Sequence, residues 1–123
     1  MIPEIWRELR TLAQLEEDEA EQWYELCRSC GRRVEERLRP DVDRDRARPL
    51  VCRAAAGLAF YEATMILAAR GELGTFAAGD LKLSQELSSV QEAAAAVRDA
   101  RLAEIVPYLR DDAFAFCEVG GHG

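Results

Sequence analysis

In this 123-residue chain, Cys27-Arg-Ser-Cys30 is the stretch whose residue types and spacing most readily suggest chemistry. A C-x-x-C can be a dithiol redox pair or one half of a zinc site. A redox pair normally opens a helix that follows a strand, where the helix dipole lowers a thiol pKa. Here both cysteines fall inside a helical stripe, on its apolar side. A zinc site built from all four cysteines would take Cys52 and Cys117 as its second pair. Those two are far apart in the chain, unlike the compact spacing of zinc ribbons and fingers. Cysteine is also a small buried hydrophobe, so the expectation is a structural pair with no metal and no required bridge.

The other candidates are weaker. His122 is the only histidine and sits between glycines at the end of the chain, where nothing holds a catalytic base in position. The carboxylates lie on helical faces beside arginines, Glu25 with Arg28 and Glu35 with Arg39, and read as solvated charge. There is no Walker loop, G-x-G-x-x-G, H-E-x-x-H or G-x-S-x-G. The glycine-containing GTFAAGD follows a helix rather than a strand, which argues against a phosphate cradle. The expectation is a protein that is not an enzyme, with no catalytic residue, no metal and no cofactor.

The elements that would position these residues are helical. Leu50, Val51, Ala54, Ala55, Leu58, Ala59, Met65, Ile66 and Ala69 recur at three- and four-residue steps. Only Glu62 interrupts the stripe, and Phe60 and Leu67 widen it. A helix apolar over most of its circumference must be covered on several sides. This pattern predicts a central helix over about Leu50 to Ala69, with Gly57 letting another backbone approach closely. Before it, Pro3, Ile5, Leu9 and Leu12 predict a short first helix with Trp6 beside the stripe. The cluster Glu16, Glu17, Asp18 and Glu19 suits the positive end of a second helix. That helix carries Trp23, Leu26, Cys27, Cys30, Val34 and Leu38 and is expected to stop at Pro40. Asp41 to Arg48 reads as a charged connection or the first turn of the central helix.

Beyond Ala69 the helical period breaks at Gly71, Gly74 and Gly79. Asp80-Leu81-Lys82-Leu83 alternates as a short strand would. Leu87, Val90, Ala94, Val97, Ile105 and Leu109 predict a long final helix, capped by Ser84 or Ser88 and kinked or restarted at Pro107. The tail from Ala113 to Val119 alternates weakly and is expected to be extended. The fold class is therefore mainly α, a small bundle around a central apolar helix, with an extended stretch near 76–83 and an extended tail. Residues 1–111 form the helical domain and 112–123 the tail.

Composition narrows the partners. The formal charge of −7 makes broad nucleic-acid binding unfavourable. The charge is uneven: Arg28 to Arg53 holds nine arginines against five acids, and Lys82 is the only lysine. The uncharged apolar runs Ala54–Tyr61 and Ala63–Ala69 fall far short of a membrane span. The N-terminal MIPEIWRELR lacks the pattern of a secretory leader, so the expected location is the cytoplasm, with reduced cysteines. Two features exceed what a lone bundle needs: the strand-like FAAGDLKLS, and a terminal segment bearing Phe114, Phe116 and Val119. Either can pack on its own domain or dock on a neighbour through backbone hydrogen bonds and aromatic anchors.

Two amphipathic helices, a core helix ending in AFYEATMILAARGE, the FAAGDLKLS turn, an Ala-rich helix and the tail DDAFAFCEV together resemble small prophage proteins. They are similar to the head–tail connector (adaptor) proteins of long-tailed bacteriophages, over about Trp23 to Val119. The resemblance implies a structural role in a ring of subunits between the portal and the tail, with partners in the portal, the stopper or tail-completion protein and further copies of itself. DNA would be passing cargo only, and the location the host cytoplasm during assembly and then the virion. Carried over, Ala113 to Val119, with Phe114, Phe116 and Val119, would face the portal. Phe76, Gly79, Asp80, Leu81 and Leu83 would lie in the region that meets neighbours or lines the channel. The alternative is a small helical interaction or regulatory protein, encoded in a prophage and acting as a dimer.

Overall fold

Asp43 begins the element around which the others pack. Its carboxylate accepts hydrogen bonds from the amides of Asp45 (3.0 Å) and Arg46 (3.4 Å), the usual way to satisfy a helix's first free amides. In the computed structural model, which describes residues 1–72 and 87–110, the helix it opens is α4, Arg44–Arg70. The other helices are α1 (Ile2–Ala13), α2 (Glu17–Ala20), α3 (Tyr24–Glu35) and α5 (Leu87–Ile105), with 3-10 turns at Glu21–Trp23 and Val106–Tyr108. The protein is mainly α, with a bundle built on one long apolar helix. Among the described residues there is no strand, only a single antiparallel bridge between Leu38 and Leu109.

The central helix starts earlier than the expected Leu50, so Asp41 to Arg48 is mostly its cap and first turns. Pro49 sits within it past the first turn, where it has no amide to donate to the carbonyl four residues earlier. Every residue from Ala54 to Phe60 is buried, covered by α1, α3 and α5. The helix ends at Gly71, whose φ of 71° is the left-handed conformation that glycine adopts without strain. By length and composition alone α4 could cross a membrane; in the fold, 67% of its most apolar window is buried.

α5 runs antiparallel to α4. Arg53 meets Glu104 at 2.9 Å, and four residues further along α4, Gly57 faces Arg98 and Arg101. A Cβ at Gly57 would stand 2.8 Å from Arg101 Cγ and 3.5 Å from the Arg98 Cα, so the expected close approach is made here. Val90, Ala94, Leu102 and Ile105 complete the buried side of α5. Ser88 falls within the range of the helix; Ser84 lies outside the described residues. Pro107 restarts the chain as a 3-10 turn, after which Leu109 is buried.

The acidic cluster opens the short α2 rather than α3. The Glu19 carboxylate accepts from the Glu16 amide at 3.1 Å, as in a capping box. The stripe on α3 is as expected, with Trp23, Cys27, Cys30, Val34 and Leu38 buried. The expected stop at Pro40 is corrected: the helix ends at Glu35. Arg39 donates its amide to the Tyr108 carbonyl at 3.0 Å and Arg110 donates to the Arg37 carbonyl at 2.9 Å. These two bonds take over from helical ones and tie the end of α5 to the turn between α3 and α4.

Candidate functional site

All the residues expected to make contacts lie outside the described residues: Phe76, Gly79, Asp80, Leu81 and Leu83 in the 73–86 segment, and Phe114, Phe116 and Val119 beyond Arg110. The strand expected near 76–83 and the tail from residue 112 lie outside them too. Within the described body, three places gather side chains of chemical interest.

The first is the C-x-x-C on α3. Cys27 and Cys30 are free thiols with no exposed surface. Burial pushes Cys27 up to about 12, with Cys30 adding to the effect. Burial also pushes Cys30 up to about 12, with the Glu62 carboxylate opposing a thiolate there. Arg33 Nη2 donates to Cys30 Sγ at 3.2 Å and to both oxygens of Glu62 at 2.8 Å. Glu62, which interrupts the apolar stripe of α4, is therefore the acceptor for a guanidinium crossing from α3. Neutral thiols packed in a core are neither nucleophiles nor ligands at neutral pH. Among the described residues no group of three or more Cys, His, Asp or Glu is placed to hold a metal ion.

The second is a cavity of about 340 Å³ between α1 and α4, lined by Glu4, Arg7, Glu8, Thr11, Pro49, Cys52 and Arg53. The Cys52 thiol points at Glu4 Oε2 (3.6 Å) and the Met1 carbonyl (3.9 Å). Burial first, and then the neighbouring Glu4 carboxylate, push this thiol up to about 11. Glu4 itself is held below the usual carboxylate range by its hydrogen bond to Arg48. The thiol is thus shielded and protonated, and this cavity holds no activated nucleophile.

The third is an open cleft of about 570 Å³ lined by Trp6, Glu17, Glu21, Tyr24 and Glu25. The Trp6 and Tyr24 rings meet edge to face, with centroids 6.0 Å apart and planes at 65°. Trp6 Nε1 donates to the Ala20 carbonyl at 2.9 Å, which fixes the indole against α2. The Arg10 guanidinium lies 5.1 Å from the Trp6 ring. Rings with a negative face, bordered by three exposed carboxylates, suit a cationic group.

Sequence reasoning placed the ion pairs too locally. Glu25 and Arg28 do meet, at 3.7 Å on the exposed surface, but Arg39 pairs with Asp41 at 3.5 Å rather than with Glu35. The pairs that join helices are Arg33–Glu62, Arg48–Glu4, Arg53–Glu104 and Arg101–Glu8. A single signal pointed to the first: a carboxylate in an otherwise apolar stripe needs a cation opposite it. Arg98 is 96% removed from solvent by the same logic. Its guanidinium lies 4.2 Å from the Tyr61 ring centroid, and its Nε donates to Asp99 at 2.8 Å; its relative exposure is 4%. Comparison with protein-family models, with curated proteins and with solved structures gave no match.

Proposed function

We propose that the chain is a structural subunit of a bacteriophage particle, a ring-forming head–tail connector that docks between the portal and the tail. The observation that supports this reading is where the two candidate docking segments leave the helical body. Residues 73–86 depart from and return to the Gly71 end of α4, whereas the tail departs after Leu109, which is bridged to Leu38 near the other end. A 27-residue helix spans about 40 Å, so one subunit presents candidate contacts at both ends of a rigid rod. Among the described residues the core is assembled from α1, α3, α4 and α5.

On this reading the portal takes the aromatic pair Phe114 and Phe116 together with Val119. Neighbouring subunits, the stopper or the channel take Phe76 to Leu83. The net negative charge keeps passing DNA from adhering. The chemistry is that of assembly rather than turnover, in the host cytoplasm and then in the virion. The test is portal binding and head–tail joining by protein lacking residues 112–123. A second reading, a small dimeric interaction protein, draws on the charged face of α3 that no other described element covers.

A further inference from the structure

Among the described residues, no other element covers one face of α3 and the turn before it. Glu21, Glu25, Arg28 and Arg32 follow each other at steps of four, three and four, and all are exposed. At about 100° per residue Glu25, Arg28 and Arg32 fall within an arc of roughly 60° on one side of α3, and Glu21 precedes them in the 3-10 turn. The signs are segregated along it. Glu21 and Glu25 stand on one half. Arg28 and Arg32 stand on the other. Arg32 makes no ion pair among the described residues, and Arg28 has only its 3.7 Å contact with Glu25, both side chains at least half exposed. Such a contact contributes little within one chain.

We propose that this face pairs with the same face of a second copy of the chain, antiparallel, about a two-fold axis passing between Glu25 and Arg28. In that register Glu21 meets the copy's Arg32 and Glu25 meets the copy's Arg28, and the two-fold repeats both pairs. A parallel register would set like charge on like. The acidic half also borders the cleft of Trp6 and Tyr24, so the incoming guanidinia arrive against aromatic rings as well as carboxylates. Arginine suits both contacts, because its planar fork binds carboxylates in two places and stacks on rings.

Acids at the start of a helix and bases at its end also complement the helix's own dipole. That accounts for the order of signs, and the same order makes the stripe complementary to its own reverse. The pairing closes at two copies and cannot extend into a ring. It is a state of the free protein, and it stands or falls separately from the connector reading.

The experiment is light scattering after size exclusion on the full chain, at low and at high salt, for wild type and two charge-reversed variants. These are Glu21→Arg/Glu25→Arg and Arg28→Glu/Arg32→Glu. The expected result is a wild-type dimer at low salt that dissociates at high salt. Each variant alone should be monomeric, with an unchanged far-UV circular dichroism spectrum, and an equimolar mixture should recover the dimer. Recovery by mixing is a readout that a purely intrahelical role would not give. A wild type that is monomeric at low salt, variants that still dimerise, larger species that survive both reversals, or a mixture that stays monomeric would each overturn the pairing. Portal binding, measured on the same proteins, reports on the connector reading alone.

Discussion

Arg33 Nη2 on α3 lies 2.8 Å from both carboxylate oxygens of Glu62 on α4, joining residues 29 apart in sequence across the helix interface. The same nitrogen lies 3.2 Å from Cys30 Sγ. The Arg33 and Glu62 side chains are 37% and 30% exposed, so the pair is partly screened. Glu62→Ala leaves the guanidinium beside a thiol with no carboxylate. The expected cost is about 1–2 kcal/mol, read as a shift in the urea midpoint at unchanged m. Arg33→Met/Glu62→Leu should cost less than the sum of the two single changes, because it leaves no unpaired charge. Additive costs would show that the pair is not coupled.

Alkaline pH should expose the buried thiols. The folded-state values of Cys27 and Cys30 are pushed up to about 12, above the ordinary value of 9.0. Between these limits the unfolded chain has released protons that the folded chain retains, so stability falls as pH rises. Each thiol contributes a slope of up to about 1.4 kcal/mol per pH unit there. Cys27→Ala/Cys30→Ala should lose a modest amount of stability at pH 7 through lost packing and show a shallower decline above pH 9. Zinc bound stoichiometrically by the wild type and lost in this variant would contradict the structural assignment of the pair.

The close approach at Gly57 sets how α5 lies on α4. Gly57→Val places new atoms where Arg101 Cβ and Cγ stand, 2.8–2.9 Å from an ideal Cβ. These are the root of that side chain, which cannot swing away as its tip can. The expected loss is about 1–3 kcal/mol, checked by thermal melting. A wild-type melt would mean that the helices sit further apart than described.

Leu58, 6% exposed at the centre of α4, tests the core itself. Leu58→Asp buries an unpaired charge, which costs several kcal/mol against a total stability of about 5–15 kcal/mol. The circular dichroism spectrum should be that of an unfolded chain at room temperature. A cooperative, wild-type-like melt would place the core elsewhere.

The apolar period made α4 and the stripe from Trp23 to Leu38 legible, because both depend on spacing that any single sequence displays. Gly57 was legible for a related reason: a glycine among alanines costs helix stability unless something approaches it. The ends were less so. α3 stops at Glu35 because Arg39 and Arg110 exchange backbone bonds with Tyr108 and Arg37, contacts made with the far end of the chain. The earlier start of α4 is set by Asp43, whose carboxylate caps the helix ahead of Pro49. The pairs Arg53–Glu104 and Arg101–Glu8 were invisible, since they follow from which helix faces which. The residues on which the connector reading rests, Phe76 to Leu83 and Phe114 to Val119, lie outside the described residues.

The measurement that bears most directly on the proposed function is the removal of Asp112 to Gly123, assayed by thermal melting and by binding to the portal. Phe114 and Phe116 are two residues apart, so in an extended chain they project to the same side. Each is worth roughly 1.5–3 kcal/mol when fully covered by a partner. If they are docking anchors, the truncated protein should melt nearly as wild type does, yet fail to bind the portal and to join heads to tails. A stable truncated protein that still joins heads to tails would contradict the connector reading. A collapsed melt would show instead that the tail belongs to the helical body's own core.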